Sequence, residues 1–276
     1  MKEISLSTPI ETNSGENQLK LIRITEALLT QTLTETVATF QLLMRDGNLK
    51  PFLFDSAYRS ELSCRSVMNR VNAMVELYAG DVAETLRISS YNLIQFFTSV
   101  TKQINMALGE KCKGDITFVE PEDFDSTVSF DARRICTILY HLVGNAIQHG
   151  RTENKNVEIH AEVMNGMFEM SVRDHGGGVQ ESKLKDLAKG ELPPLDMESI
   201  DIKYFPPKFQ NVGIPLCRKL TQDMGGELRL KNYKTGAKFI VTLPQKESRI
   251  REVSIYRPDD TLLKNCMADV LIALTE

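Results

Sequence analysis

The sequence predicts an α+β fold: an antiparallel helical hairpin followed by a mixed half in which helices alternate with strands. Two observations lead there. Apolar residues recur at helical spacing through two long segments before residue 80. Beyond residue 84 the period changes, and short runs with strand-like alternation sit between helical ones. With 276 residues, the chain has room for one large or two ordinary domains.

The polar stretch Met1 to Glu16 lacks a clear period and reads as a frayed tail. Asn17 to Arg45 carries Leu19, Ile22, Leu29, Leu33, Val37, Phe40 and Met44 on a near-heptad course, the pattern of a helix packed on helices. Asp46-Gly-Asn stops it. A second helix spans Ser56 to Tyr78, with Leu62, Val67, Val71, Met74 and Val75 as its apolar side. The two form a hairpin over about residues 17–82. Such a hairpin has two apolar faces and little of its own to bury them against. The expectation is a homodimer closed as a four-helix bundle, with Leu33 and Val37 at the seam. The alternative is that the hairpin packs on the rest of its own chain.

From Glu84 onward the reading is a short strand at Thr85–Ile88, a helix from Ser90 to Leu108 and a strand at Asp115–Val119. The next helix has Asp131 as its N-cap and Gly150 as its stop. Two strands, Val157–Val163 and Met167–Val172, flank the turn Asn165-Gly166. Lys183 to Lys208, rich in proline, reads as an irregular lid. Pro215 to Met224 is a helix, and a last hairpin, Glu227–Asn232 with Lys238–Leu243, closes the domain at Pro244. Residues 246–276 read as an appendage holding one short amphipathic helix.

Composition excludes several classes. A net charge of −4, with no dense Lys/Arg run, argues against nucleic acid as partner. Five scattered cysteines without C-x-x-C spacing fit neither a disulfide framework nor a zinc site, and suit a reducing cytoplasm. No apolar run approaches the ~18 residues of a membrane span.

The chemistry-bearing residues fall into three groups. His141 and Asn145 lie one turn apart on one helix face, where a carboxamide oxygen can take a divalent cation and an imidazole can orient or deprotonate an attacking group. Asp174-His-Gly176-Gly-Gly178 follows a strand; its carboxylate can accept the amino hydrogens of an adenine, and its glycines let a flat base approach. Gly213 opens a helix whose first N–H groups can hold phosphate. There is no G-x-x-x-x-G-K-[ST] loop.

These motifs, in this order, resemble the ATP-binding domain of the superfamily (GHKL) that joins sensor histidine kinases, anti-sigma-factor kinases, DNA gyrase B and the heat-shock chaperone ATPases. His141-Leu-Val-Gly-Asn145 is similar to its N-box, with His where many members have Glu or Asn. Asp174-His-Gly176-Gly-Gly178 is similar to its D-x-G-x-G box, and Gly213-Ile-Pro-Leu216 to its second glycine box. The resemblance spans about Glu84 to Pro244 and implies an α/β-sandwich domain that binds Mg²⁺ and ATP. It implies adenine contact by Asp174, Gly176 and Gly178, metal contact by Asn145, phosphate contact by Gly213 and a catalytic role for His141. It also implies a signalling partner of response-regulator or anti-sigma type. Two departures stand out. Asn211 and Pro215 replace the outer glycines of the second box, and Pro215 removes an N–H that could face phosphate. In Thr30-Gln31-Thr-Leu-Thr-Glu-Thr-Val37, Gln31 stands where histidine kinases carry the phosphoacceptor His; the four histidines, His141, His149, His160 and His175, all fall within the ATP-domain stretch. The sequence thus supports either an ATP-dependent kinase acting on another protein or a degenerate kinase serving as a dimeric scaffold.

Overall fold

The computed structural model describes residues 1–6, 16–45, 47–78, 85–112, 114–121, 127–150, 156–189, 212–245 and 253–275. The hairpin consists of α1 (Glu16–Met44) and α2 (Pro51–Tyr78). Leu33 and Phe40 are half-buried and Val37 is buried, all on the α1 side that meets α2. Leu33 and Val37, expected at a dimer seam, therefore serve the hairpin itself.

The mixed half contains a six-stranded sheet in the order β1-β7-β8-β6-β5-β3 and a two-stranded sheet of β2 and β4. Its strands are β1 (Lys2–Ser5), β2 (Ile88–Asn92), β3 (Ile116–Val119), β4 (Thr127–Asp131), β5 (Val157–Met164), β6 (Met167–Asp174), β7 (Glu227–Tyr233) and β8 (Gly236–Pro244). Its helices are α3 (Leu93–Leu108), α4 (Ala132–His149), α5 (Glu181–Lys189), α6 (Gly213–Asp223), α7 (Asp260–Cys266) and α8 (Ala268–Ala273). In the large sheet only β3 and β5 run parallel. Asn165 and Gly166 both take positive φ, 51° and 73°, the left-handed conformation that a two-residue β5–β6 hairpin turn requires.

Local chemistry sets the helix starts. Asn92 Oδ1 accepts from the Gln95 amide at 2.9 Å, so β2 runs through Tyr91 and α3 begins at Leu93, three residues later than the periodicity predicts. Asp131 caps α4 as expected: Oδ1 accepts from the Arg134 amide at 3.2 Å and Oδ2 from that of Arg87 at 2.9 Å. Facing rings of Tyr91, Phe96, Phe97, Phe118, Phe130 and Phe168 join the sheets to α3, with centroids 4.9–6.1 Å apart.

Further sequence expectations change. Met1 to Glu16 is not a frayed tail at its start: β1 pairs antiparallel with β7, and Leu6 is fully buried. Lys183–Lys208 does not begin irregularly, because α5 runs to Lys189; residues 190–211, including Asn211 and the two proline pairs, lie outside the described residues. Nor is the C-terminal stretch an appendage. Tyr256 packs against Phe96 with centroids 4.4 Å apart, and α7 and α8 lie between α2 and α4. Their burial comes from contacts across some two hundred residues of chain, which local periodicity does not encode. The hairpin thus packs on its own C-terminal half through α2.

Candidate functional site

Helix α4 is the spine of the site. His141 is buried on it, and Asn145, one turn on, is half-buried. The start of α6 meets both: a Cβ at Gly213 would stand 3.4 Å from His141 Nδ1 and 3.9 Å from Asn145 Nδ2. The helix terminus therefore lies within van der Waals reach of the imidazole and the amide. The first amides of a helix have no intrahelical acceptor and carry its positive dipole end, so an anion is favoured there. Pro215 occupies the third helical position and lacks one of those N–H groups. Burial pushes the His141 imidazole down to about 4, with only Asp269 of α8 opposing it. The ring is therefore neutral at physiological pH. Its Nε2 is buried without a hydrogen-bond partner among the described residues, an arrangement that normally marks a functional group or a missing ligand.

Asp174 ends β6 on the same side of the fold. Its Oδ1 accepts from the Gly176 amide at 2.8 Å and the Ala237 amide at 3.2 Å, which fixes the carboxylate in the turn. Gly236, at φ 143°, lies so close that a Cβ there would stand 2.0 Å from the Asp174 carbonyl oxygen. Gly176 faces the carbonyl of His149 at the end of α4, with 3.1 Å to an added Cβ, so the glycine loop abuts the turn of α4 that follows Asn145. Gly178 has φ 72° and touches the backbone of Tyr233. Beside it, Asn232 holds Val179 from both sides, accepting its amide at 2.8 Å and donating to its carbonyl at 2.9 Å. The structure thus brings Gly213 against His141 and Asn145 at mid-helix and Gly176, beside Asp174, against the helix end, with Gly178 on the β7–β8 hairpin.

Sequence reasoning missed Gly236, Ala237 and Asn232. Gly236 was legible only as a turn residue, Ala237 contributes a backbone amide that any residue has, and Asn232 reads as a strand end. The other histidines are placed elsewhere. His149 is exposed at the α4 terminus. His175 Nε2 lies 3.2 Å and His160 Nε2 3.5 Å from the Glu158 carboxylate on the outer sheet face. Burial alone would raise that carboxyl; the hydrogen bonds from His175 and His160, with Arg173 nearby, hold it below its usual range. His175 thereby ties the glycine loop to β5. No group of three or more His, Cys, Asp or Glu side chains placed to hold a metal ion occurs among the described residues.

A mixed sheet backed by helices carries the Asn/His helix, the Asp–glycine loop and the glycine-opened helix. Residues 130–247 match the family described as Histidine kinase-, DNA gyrase B-, and HSP90-like ATPase, and this part of the chain is a domain of that family. The fold is also similar to that of full-length ShkA in complex with AMPPNP, with TM-score 0.57, 17% identity and coverage of 84% of this chain and 47% of that one. It is similar too to ThkA in complex with the response regulator protein TrrA, with TM-score 0.51, 22% identity and coverage of 83% and 64%. The chain therefore spans about half of ShkA. Comparison with curated proteins finds no match. No helix among the described residues is long and apolar enough to cross a membrane.

Proposed function

We propose that this protein is a cytoplasmic signalling protein that binds Mg²⁺ and ATP and transfers phosphate to a partner protein, not to its own hairpin. The convergence of Gly213 on His141 and Asn145 carries the reading. In it, Asp174 is the adenine contact, with Oδ1 engaged by the loop amides and its second oxygen turned to the exocyclic amino group. Gly176 and Gly178 let the loop beside Asp174 fold tightly against the end of α4 and the Tyr233 backbone, and Asn145 offers its carbonyl oxygen to Mg²⁺. Gly213 and the α6 terminus receive phosphate, and His141 orients the attacking group. The response regulator bound to ThkA supports a receiver-type protein as partner.

Asp174→Asn tests the nucleotide assignment. An asparagine keeps the oxygen that accepts from Gly176 and Ala237, so the loop stands, but presents an NH₂ to the adenine amino group. Calorimetry is expected to show Mg·ATP binding by the parent protein and none by the variant, with an unchanged melting temperature. Equal affinity for both would end the adenine assignment. Radiolabelled ATP is expected to leave no acid-labile label on residues 17–78; such label there would overturn the acceptor reading.

A second reading, a degenerate kinase acting as a dimeric scaffold, is favoured by Gln31. It is exposed on α1 and donates to Glu35 at 3.2 Å, so an amide fills the acceptor position. An amide cannot hold phosphate as an imidazole can. A parent protein that binds no nucleotide at millimolar ATP would select this reading.

A further inference from the structure

Helices α7 and α8 form a bridge whose two sides do different things. One side lies on α4: Val270 Cγ2 stands 3.5 Å from where a Cβ of Gly144 would be, three residues beyond His141 and on the same helix face. The other side is latched to the hairpin at three levels of α2. Arg59 donates to the Thr275 carbonyl. Arg65, in a buried ion pair with Glu61 at 2.8 Å, also donates to Asn265 at 2.9 Å. Asp269 takes Ser66 Oγ at 2.5 Å and Arg70 Nη2 at 2.8 Å. The network reaches α1 as well, because Gln41 donates to Glu61 at 3.0 Å. His141, on that same helix, is 9% exposed, its Nε2 is buried without a partner among the described residues, and Asp269 of α8 is close enough to act on its charge.

A histidine that orients an acceptor group of another protein must touch that group. In this arrangement it cannot. We infer that α7–α8 is an autoinhibitory strap: latched to α2 through Asn265, Asp269 and Thr275, it holds the nucleotide domain against the hairpin and closes His141 off from a protein substrate. Binding of a partner or a change in the hairpin that frees Asp269 from Ser66 and Arg70 lifts α8 and opens the histidine. The strap deepens the proposed function, resting on the role given there to His141, but its closure is a property of the fold and can be read without nucleotide.

The test is carbethoxylation of the full-length protein by diethyl pyrocarbonate at neutral pH, with the label at each histidine quantified by mass spectrometry. In the parent protein His141 is expected to react far more slowly than exposed His149. Asp269→Ala, and independently Ser66→Ala with Arg70→Ala, should raise the His141 rate about tenfold or more, as loss of a charge-assisted hydrogen bond does for a local opening. His160 and His175 on the outer sheet face should keep their parental rates. The strap is overturned if His141 reacts as fast as His149 in the parent protein, if neither variant changes it, or if all four histidines accelerate together. Calorimetry with Mg·ATP on the same samples separates the two claims. Release of His141 in a protein that binds no ATP leaves the strap and removes the nucleotide reading. ATP binding with an already reactive His141 does the reverse.

Discussion

His141 shows how one residue couples fold and chemistry. Its ordinary value of 6.5 falls to about 4 because burial disfavours the cation, with Asp269 a weaker opposing charge. Above pH 6.5 the ring is neutral in folded and unfolded chains alike and stability does not depend on it. As pH falls below 6.5 the unfolded chain takes up a proton that the folded chain refuses until about 4. Stability is therefore lost through that window, by about 3 kcal/mol at its acid end. Thermal melts of the ligand-free protein from pH 7 to 4.5 should fall more steeply for the parent than for His141→Gln, which has nothing to titrate. Parallel curves would show that the imidazole titrates as if exposed. The side-chain part of the candidate site was open to sequence reasoning, since His141, Asn145 and Asp174 carry donors and acceptors that few positions need. The backbone part was not: the Ala237 amide and the close approach of Gly236 exist only once β8 lies beside β6.

At the scale of elements, legibility follows how far away the stabilising partner lies. Helices α3, α4 and α6 and the β5–β6 and β7–β8 hairpins draw on neighbours in sequence, and their periodicity exposes them. Strand β1 does not. Lys2-Glu3-Ile4-Ser5 is short and half charged, and becomes a strand only because β7, some 225 residues on, offers an edge. Its ion pairs, Glu3 with Arg229 at 3.1 Å and Lys231 at 3.7 Å, are half-exposed and add little. Leu6 is the anchor: it is fully buried, and its amide donates to the Leu228 carbonyl at 3.0 Å. Leu6→Ala should cost about 2–5 kcal/mol, the range for emptying a buried leucine site. Chemical denaturation checks this, and a loss under 0.5 kcal/mol would mean that β1 is dispensable to the domain.

At the scale of the whole molecule, the hairpin divides its surfaces between two tasks. The α2 side is taken by α6, α7 and α8 of the same chain. The outer side of α1 exposes apolar side chains: Ile24, Leu28 and Leu42 are 59%, 63% and 66% exposed, and with Ala38 and the polar pair Gln31 and Glu35 they fall on one stripe at alternating spacings of four and three. Phe52, Leu53 and Phe54 extend the exposed apolar surface at the start of α2. A second copy laying the same stripe against this one would close a four-helix bundle, so a dimer built on the hairpin would use this face and not Leu33 and Val37. The two sets of residues make the distinction testable. Leu28→Glu with Leu42→Glu should leave the melting temperature of dilute protein unchanged, since neither side chain is buried in the single chain, and should give a monomer in sedimentation at tens of micromolar. Val37→Glu should instead weaken the hairpin itself, because it places an unpaired charge between α1 and α2. If the parent protein sediments as a monomer, or if the doubly charged variant stays dimeric, the α1 stripe is not the dimer face.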